Sequence, residues 1–407
     1  MPSPETIAYL RSPVAIRDRC RQLFKLAEID RLPYFRLDLS QLDRVADYVI
    51  QVTRESYPNL AIPFHSRWRH FEVGGVSRLA QLEAKLAGLP PRSQAWAKYD
   101  LAIVSVLLDA GAGADWQYHE PETDQVFTRS EGLAVASFHL FAQRKVSSDP
   151  QVPLQADAIG LQNLTEQSLG ESFQVSATNP LVGVAGRVKL LQQLGQTLQQ
   201  HPQFFGEENP RPGYLVNYLL GEAIDHKLPA STVLSAVLEG LGDIWAGRLT
   251  IDNTNLGDVW IHPALTGEPY ADFVPFHKLS QWLTYSLLEP LQELGLEITG
   301  LEALTGLPEY RNGGLCLDLG LLQVKDPAIL HQTHFPSDPV IVEWRALTVI
   351  LLDHLAATIR QKLGKTEAQL PLVKILQGGT WTAGRRIAAQ LRDGTPPLKI
   401  NSDGTVF

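Results

Sequence analysis

From Val14 to Leu391 the chain keeps returning to apolar residues three and four apart, the repeat of a helix that turns one face to a core. The pattern predicts helices over Val14 to Ala27, Gln41 to Glu55, Ser93 to Asp109, Gly132 to Phe141, Leu181 to Leu198, Ser231 to Leu241, Phe276 to Leu288, Val340 to Leu363 and Thr382 to Leu391. Extended pieces are short: Gln125 to Thr128, Arg248 to Ile251, Gly257 to Ile261, and Leu315 to Val324, where apolar residues alternate around Asp318. Proline and glycine punctuate the joints, as in Gly88-Leu89-Pro90-Pro91 and Asn209-Pro210-Arg211-Pro212-Gly213. The expected fold is mainly α with small β additions. With 407 residues the chain can bury a large core, either as one domain over 1–407 or as two lobes divided near 201–213.

Charge narrows the function classes. A formal net charge of -9 argues against a nucleic-acid-binding surface, because such surfaces neutralise phosphates with cations. Cys20 and Cys316 are the only cysteines, without metal-ligand spacing or a disulfide framework, which fits a reducing compartment. The Met1 to Glu5 start lacks the features of a signal peptide, and apolar runs such as Ala346 to Leu352 fall short of the ~20 residues that span a bilayer. A soluble cytoplasmic protein is expected, and the oligomeric state is left open.

Three polar clusters interrupt the apolar C-terminal half: Phe276-His277-Lys278-Leu279-Ser280-Gln281, Pro308-Glu309-Tyr310-Arg311-Asn312-Gly313-Gly314 and Glu343-Trp344-Arg345. Lone charges in a dry interior are costly, so these groups are expected to satisfy one another around a polar cavity. On a helix from Phe276, Lys278, Gln281 and Tyr285 form a stripe beside Trp282; a solvated helix face is the alternative. Glu309, Tyr310 and Arg311 fall in a turn before two glycines, where an ordinary polar turn is the alternative. Glu343, near the start of an apolar helix, acts on substrate or is a structural partner of Arg311 or Arg345.

Asp109 ends an apolar helix, where its charge opposes the helix dipole and calls for a partner such as Arg67, Arg69 or a ligand hydroxyl. His65-Ser66-Arg67-Trp68-Arg69-His70 gathers cations and a ring, and Arg129-Ser130 precedes a helix start; Arg67, Arg69 and Arg129 are phosphate candidates. Salt bridging by the arginines and N-capping by Ser130 are the bland readings. The glycines at Gly111 and Gly113 lack the Lys-Ser/Thr of a phosphate loop, no Gly-x-Ser-x-Gly elbow occurs, and His331-x-x-His334 has no evident third ligand. No metal or other cofactor is expected.

The three clusters, with Pro63 to Glu72, Arg129 to Ala134 and the terminal Ser402-Asp403-Gly404-Thr405-Val406-Phe407, resemble the uracil catabolism protein 4 (uracil-regulated protein 3) family along almost the whole chain. That resemblance implies a role in a uracil degradation route that passes through ribosylurea-type intermediates. A more distant resemblance is to the queuosine-salvage N-glycosidases, which carry Phe-x-Lys-x-x-Gln-x-Leu, Asp-Tyr-Arg and Glu-x-Arg. Phe276, Lys278, Gln281 and Leu283, then Glu309, Tyr310 and Arg311, then Glu343 and Arg345 follow the same order, with glutamate in place of the aspartate and Gly313 in place of a proline. This second resemblance implies a helical, DNA-glycosylase-like two-lobed architecture, with Glu309 and Lys278 catalytic and Asp318 the reserve carboxylate. Asp109, Arg67, Arg69, Arg129, Gln281, Tyr310, Arg311, Glu343 and Arg345 would then bind a small (phospho)ribosyl substrate. The expected reaction is N-glycosidic hydrolysis; a C–N hydrolase of another ring-opened pyrimidine and a non-catalytic pathway protein are the alternatives.

Overall fold

The computed structural model describes residues 4–109, 111–113, 115–149, 151–152, 154–245 and 249–401; the terminal Ser402 to Phe407 motif and Arg248 lie outside them. Each of the nine segments with helical periodicity is a helix, among them Pro13–Glu28, Leu42–Ser56, Pro91–Leu107, Arg129–Ala142, Lys278–Glu293, Pro339–Leu363 and Trp381–Arg392. The strands are short and pair two by two, so the fold is mainly α with small β additions.

The helix Pro339–Leu363 runs through the core, against Pro13–Glu28 and Leu42–Ser56. Proline in its first turn and Gly364 at φ 60° after its last set its ends. From Val340 to Leu352 every side chain is buried, Glu343 and Arg345 included, so the helix is covered on all sides. No helix among the described residues is long and apolar enough to cross a membrane.

Two small sheets place functional groups. Phe35–Leu37 pairs antiparallel with Leu322–Val324, bringing the backbone of Tyr34 and Phe35 to Glu343. Val259–Ile261 pairs antiparallel with Phe273–Pro275, and the chain then enters the Lys278 helix beside Asp258, whose carboxylate accepts from the Lys278 N–H at 3.0 Å.

One stretch departs from the sequence reading. Leu315 to Val324 is extended only over Leu322–Val324, and Tyr310–Asp318 is a helix. The Glu309 carboxylate caps that helix, accepting from Arg311 N at 2.7 Å and Asn312 N at 2.8 Å, so two otherwise unpaired N–H groups are satisfied where a turn was expected. The glycines that suggested a turn instead allow close packing: a Cβ on Gly313 would lie 2.7 Å from the Trp344 ring.

Candidate functional site

A cavity of about 270 Å³ opens where six parts of the chain meet. The Lys278 helix contributes Lys278 and Trp282, one turn apart and therefore on one face. The capped helix contributes Glu309, Tyr310 and Arg311 at its first turn. His65 and His70 come from the segment around the short helix Arg67–Phe71, and Asp109, Gly111, Ala112 and Gly113 with Arg129 and Ser130 form the facing rim. Trp381 closes the wall, carried there by a π-helical turn over Leu376–Thr380 whose glycines press against Val49, Thr53 and Ile62.

The two acids are held differently. Both Glu309 oxygens are engaged by N–H groups at a helix start, which favours its charged form, as do Arg311 and Lys278. Burial is the larger influence and leaves its carboxyl above the ordinary glutamate value. Asp109 receives the Ser130 hydroxyl at 2.7 and 2.8 Å on its two oxygens and the buried Arg67 guanidinium at 3.1 Å. Ser130 therefore does not cap its helix, which begins after Thr128 without a side-chain cap.

The cations are equally distinct. Burial lowers the Lys278 ammonium, with Glu309, Asp258 and Asp109 opposing the change and Arg345 adding to it. Arg311 lies over the Trp381 ring at 4.1 Å from its centroid, donates through Nε to the Tyr310 hydroxyl at 3.1 Å, and has Nη1 buried with no partner among the described residues. His70 sits between Trp282 and Trp381, with ring centroids 5.6 and 5.7 Å away. Burial, followed by the Arg67 charge, pushes its imidazole well below the usual histidine range; burial likewise pushes His65 down to about 4.

Lys278, Glu309, Tyr310, Arg311, Asp109 and Arg129 thus share the cavity, and the other six candidate catalytic and substrate-binding residues do not line it. Arg67 stands behind it, holding Asp109, Ser105 and Ser130. Arg69 pairs with Glu289 at 3.0 Å, beside a different, smaller hollow. Gln281 turns from its expected stripe to Thr305, and Tyr285 does the same. Glu343 accepts from Tyr34 N and Phe35 N at 3.2 and 2.8 Å and lies 3.5 Å from His262. Arg345 makes a two-point pair with Asp258, both contacts 2.8 Å, and Asp318 makes one with Arg392 at 2.7 and 2.6 Å. Asp318 is at the far end of the helix that Glu309 starts, ~13 Å along its axis.

Arg129 is the rim cation, exposed and at φ 55°. If it receives a phosphate, Arg129→Ala should raise KM for a phosphorylated ligand ~10-fold or more while leaving the unphosphorylated one unchanged. Arg69→Ala should change neither. Equal KM effects of Arg129→Ala on both ligands would remove the phosphate from this rim.

Of the cavity residues, Trp381 had no signal in the local sequence, since it arrives through the π-turn. His65 and His70 were visible in their cluster, but only the fold separates them from the arginines between.

Against known proteins, a family model described as a protein of unknown function (DUF1688) matches residues 9–407. The chain is 38% identical to Uracil catabolism protein 4 of Lachancea kluyveri, with 98% of this chain and 99% of that protein covered. It is 41% identical to Protein urg3 of Schizosaccharomyces pombe, with both chains covered completely.

Proposed function

On the premise that this chain belongs to the DUF1688 family, with Uracil catabolism protein 4 and Protein urg3 as its relatives, we propose that it serves uracil catabolism as an N-glycosidase, hydrolysing a phosphorylated ribosylurea-type intermediate to urea and a ribose phosphate. The observation that carries this reading is the Glu309 carboxylate, fixed by two backbone N–H groups and electrostatically coupled to Lys278, in an aromatic-walled cavity shared with Asp109.

N-glycoside cleavage builds positive charge on the ribose ring as the C1′–N bond lengthens. A carboxylate held in place before the reaction stabilises that charge without reorganising, which is the role assigned to Glu309. The same group takes a proton from the attacking water, whose oxygen bonds to C1′. The electron pair of the broken bond stays on the ureido nitrogen, which is protonated to release urea. Lys278, its ammonium made more acidic by burial, is the proton donor. Asp109, anchored from behind by Arg67 and Ser130, accepts from a ribose hydroxyl. Trp282, Trp381 and Tyr310 supply flat surfaces for the planar ureido group and the sugar.

The experiment is product identification. Purified protein incubated with ribosylurea 5′-phosphate should yield urea and ribose 5-phosphate in equal amounts, read by NMR. Ammonia and carbon dioxide in place of urea would transfer the reaction to a C–N bond within the ureido group, and an unchanged substrate would contradict the reading.

A further inference from the structure

The hydrolytic scheme leaves His65 and His70 unused, although both line the cavity and both are almost fully buried. His70 Nδ1 lies 3.2 Å from Arg67 Nη1. A guanidinium carries donors and no acceptor, so Nδ1 must offer its lone pair and the neutral ring must carry its hydrogen on Nε2. Protonating Nδ1 would set two N–H groups of like charge against each other. Burial is the largest influence against a charge on the ring; Arg67, Arg311 and His65 act with it, and Glu131 acts against it. Nε2–H has no hydrogen-bond partner among the described residues.

His65 is oriented the other way. Its Nδ1 is 2.9 Å from Gln377 Oε1, while the Gln377 amide nitrogen donates to the Tyr57 hydroxyl at 3.3 Å. That amide orientation puts the hydrogen on His65 Nδ1 and leaves Nε2 as an acceptor. Both imidazoles pack against Trp381 at 5.7 Å. The wall around that ring therefore presents one N–H donor and one nitrogen acceptor, both uncharged near neutrality.

We propose that His70 and His65 read the ureido group itself, His70 Nε2–H donating to its carbonyl oxygen and His65 Nε2 accepting from its N–H, with Trp282 and Trp381 bounding the planar face. The naming of the group as ureido rests on the function proposed above. The pairing explains why two histidines are kept neutral: an uncharged donor and acceptor complement an amide edge, whereas a phosphate or carboxylate is better served by cations. Leaving such a donor unpaired when the ligand lacks the acceptor is costly, so these are specificity-determining residues.

Binding is measured by calorimetry on the Glu309→Gln background, with ribosylurea 5′-phosphate and ribose 5-phosphate as probes. His70→Leu should weaken the urea-bearing ligand ~10- to 100-fold and leave ribose 5-phosphate within about 2-fold. His70→Gln should recover most of the loss, because one amide can accept from Arg67 and donate into the cavity. Equal weakening of both probes, no weakening, or a glutamine variant as impaired as leucine would overturn the proposal; a folded glutamine variant keeps the test valid if the leucine variant melts early. Tight, His70-dependent binding by a wild-type protein that releases no urea would sink the hydrolytic reading and keep this one. Urea release unaltered by His70→Leu would do the reverse, and a protein that binds no urea-bearing probe contradicts both.

Discussion

Glu309→Gln is expected to lower turnover on ribosylurea 5′-phosphate by ~100-fold or more, a loss of at least about 2.7 kcal/mol of transition-state stabilisation, with KM changed far less. Glutamine keeps one acceptor oxygen for the helix start and presents an amide to the other N–H, so about 1 kcal/mol of stability is lost as well. A melting curve separates that small cost from the kinetic one. Glu309→Asp retains the charge but withdraws it by a methylene, and partial activity is expected from it. The pH profile carries the sign of the two burials. Glu309 must be ionised and sits above the ordinary value of 4.5, so kcat/KM should fall on the acid side at a pH above that value. Lys278 must be protonated and sits below the ordinary 10.5, so the alkaline limb should lie below it. Wild-type turnover by Glu309→Gln, beside an inactive Asp318→Asn, would move the catalytic role to Asp318.

The second large effect is on stability and lies behind the cavity. Asp258→Ala removes the two-point carboxylate contact of the Arg345 guanidinium, which is buried against the Phe276 ring at 4.0 Å, and removes the acceptor for the Lys278 N–H. A loss of ~3–5 kcal/mol in unfolding free energy is expected at neutral pH, as for other broken buried pairs. Burial alone would raise the Asp258 carboxyl, but the charge and hydrogen bonds of Arg345, with those of Lys278 N and Trp260, hold it well below the carboxylate range. A depressed acid contributes stability above its unfolded value, near 3.8, and loses it as the pH falls through the folded value. The gap between wild type and Asp258→Ala, measured by denaturant unfolding, should therefore persist at pH 4 and narrow only under stronger acid. A gap that closes already between pH 7 and pH 5 would assign the stabilisation to another group. Asp258→Leu combined with Arg345→Met, which leaves no unpaired charge, should recover part of the loss.

The helices were legible because their apolar residues recur three and four apart. The Tyr310 helix was not, because Leu315, Leu317, Leu319 and Leu321 alternate like a strand while Leu315 and Leu319 also fall one helical turn apart. The capping by Glu309 decides between the two, and a carboxylate that caps looks in sequence like one that turns. In the site, the charges in apolar segments pointed to a shared cavity, which Lys278, Glu309, Tyr310, Arg311 and Asp109 line and Glu343 does not; Arg129, singled out only for its place before a helix start, lines it as well. The pattern could not say that Glu343 and Arg345 belong to pairs beyond that wall, since their partners, Tyr34, Phe35 and Asp258, lie between 87 and 309 residues away. Both kinds of residue are buried charges, and only the location of the partner tells a ligand site from a structural pair.

The proposed hydrolysis takes place at the anomeric carbon, and a crystal structure of the Glu309→Gln protein with ribosylurea 5′-phosphate locates it. The expected result places C1′ within ~3.5 Å of the side chain at position 309, the near-attack distance, with the ureido group between Trp282 and Trp381 and the leaving nitrogen toward Lys278. A ligand bound elsewhere, or bound in this cavity with C1′ turned away from position 309, would contradict it.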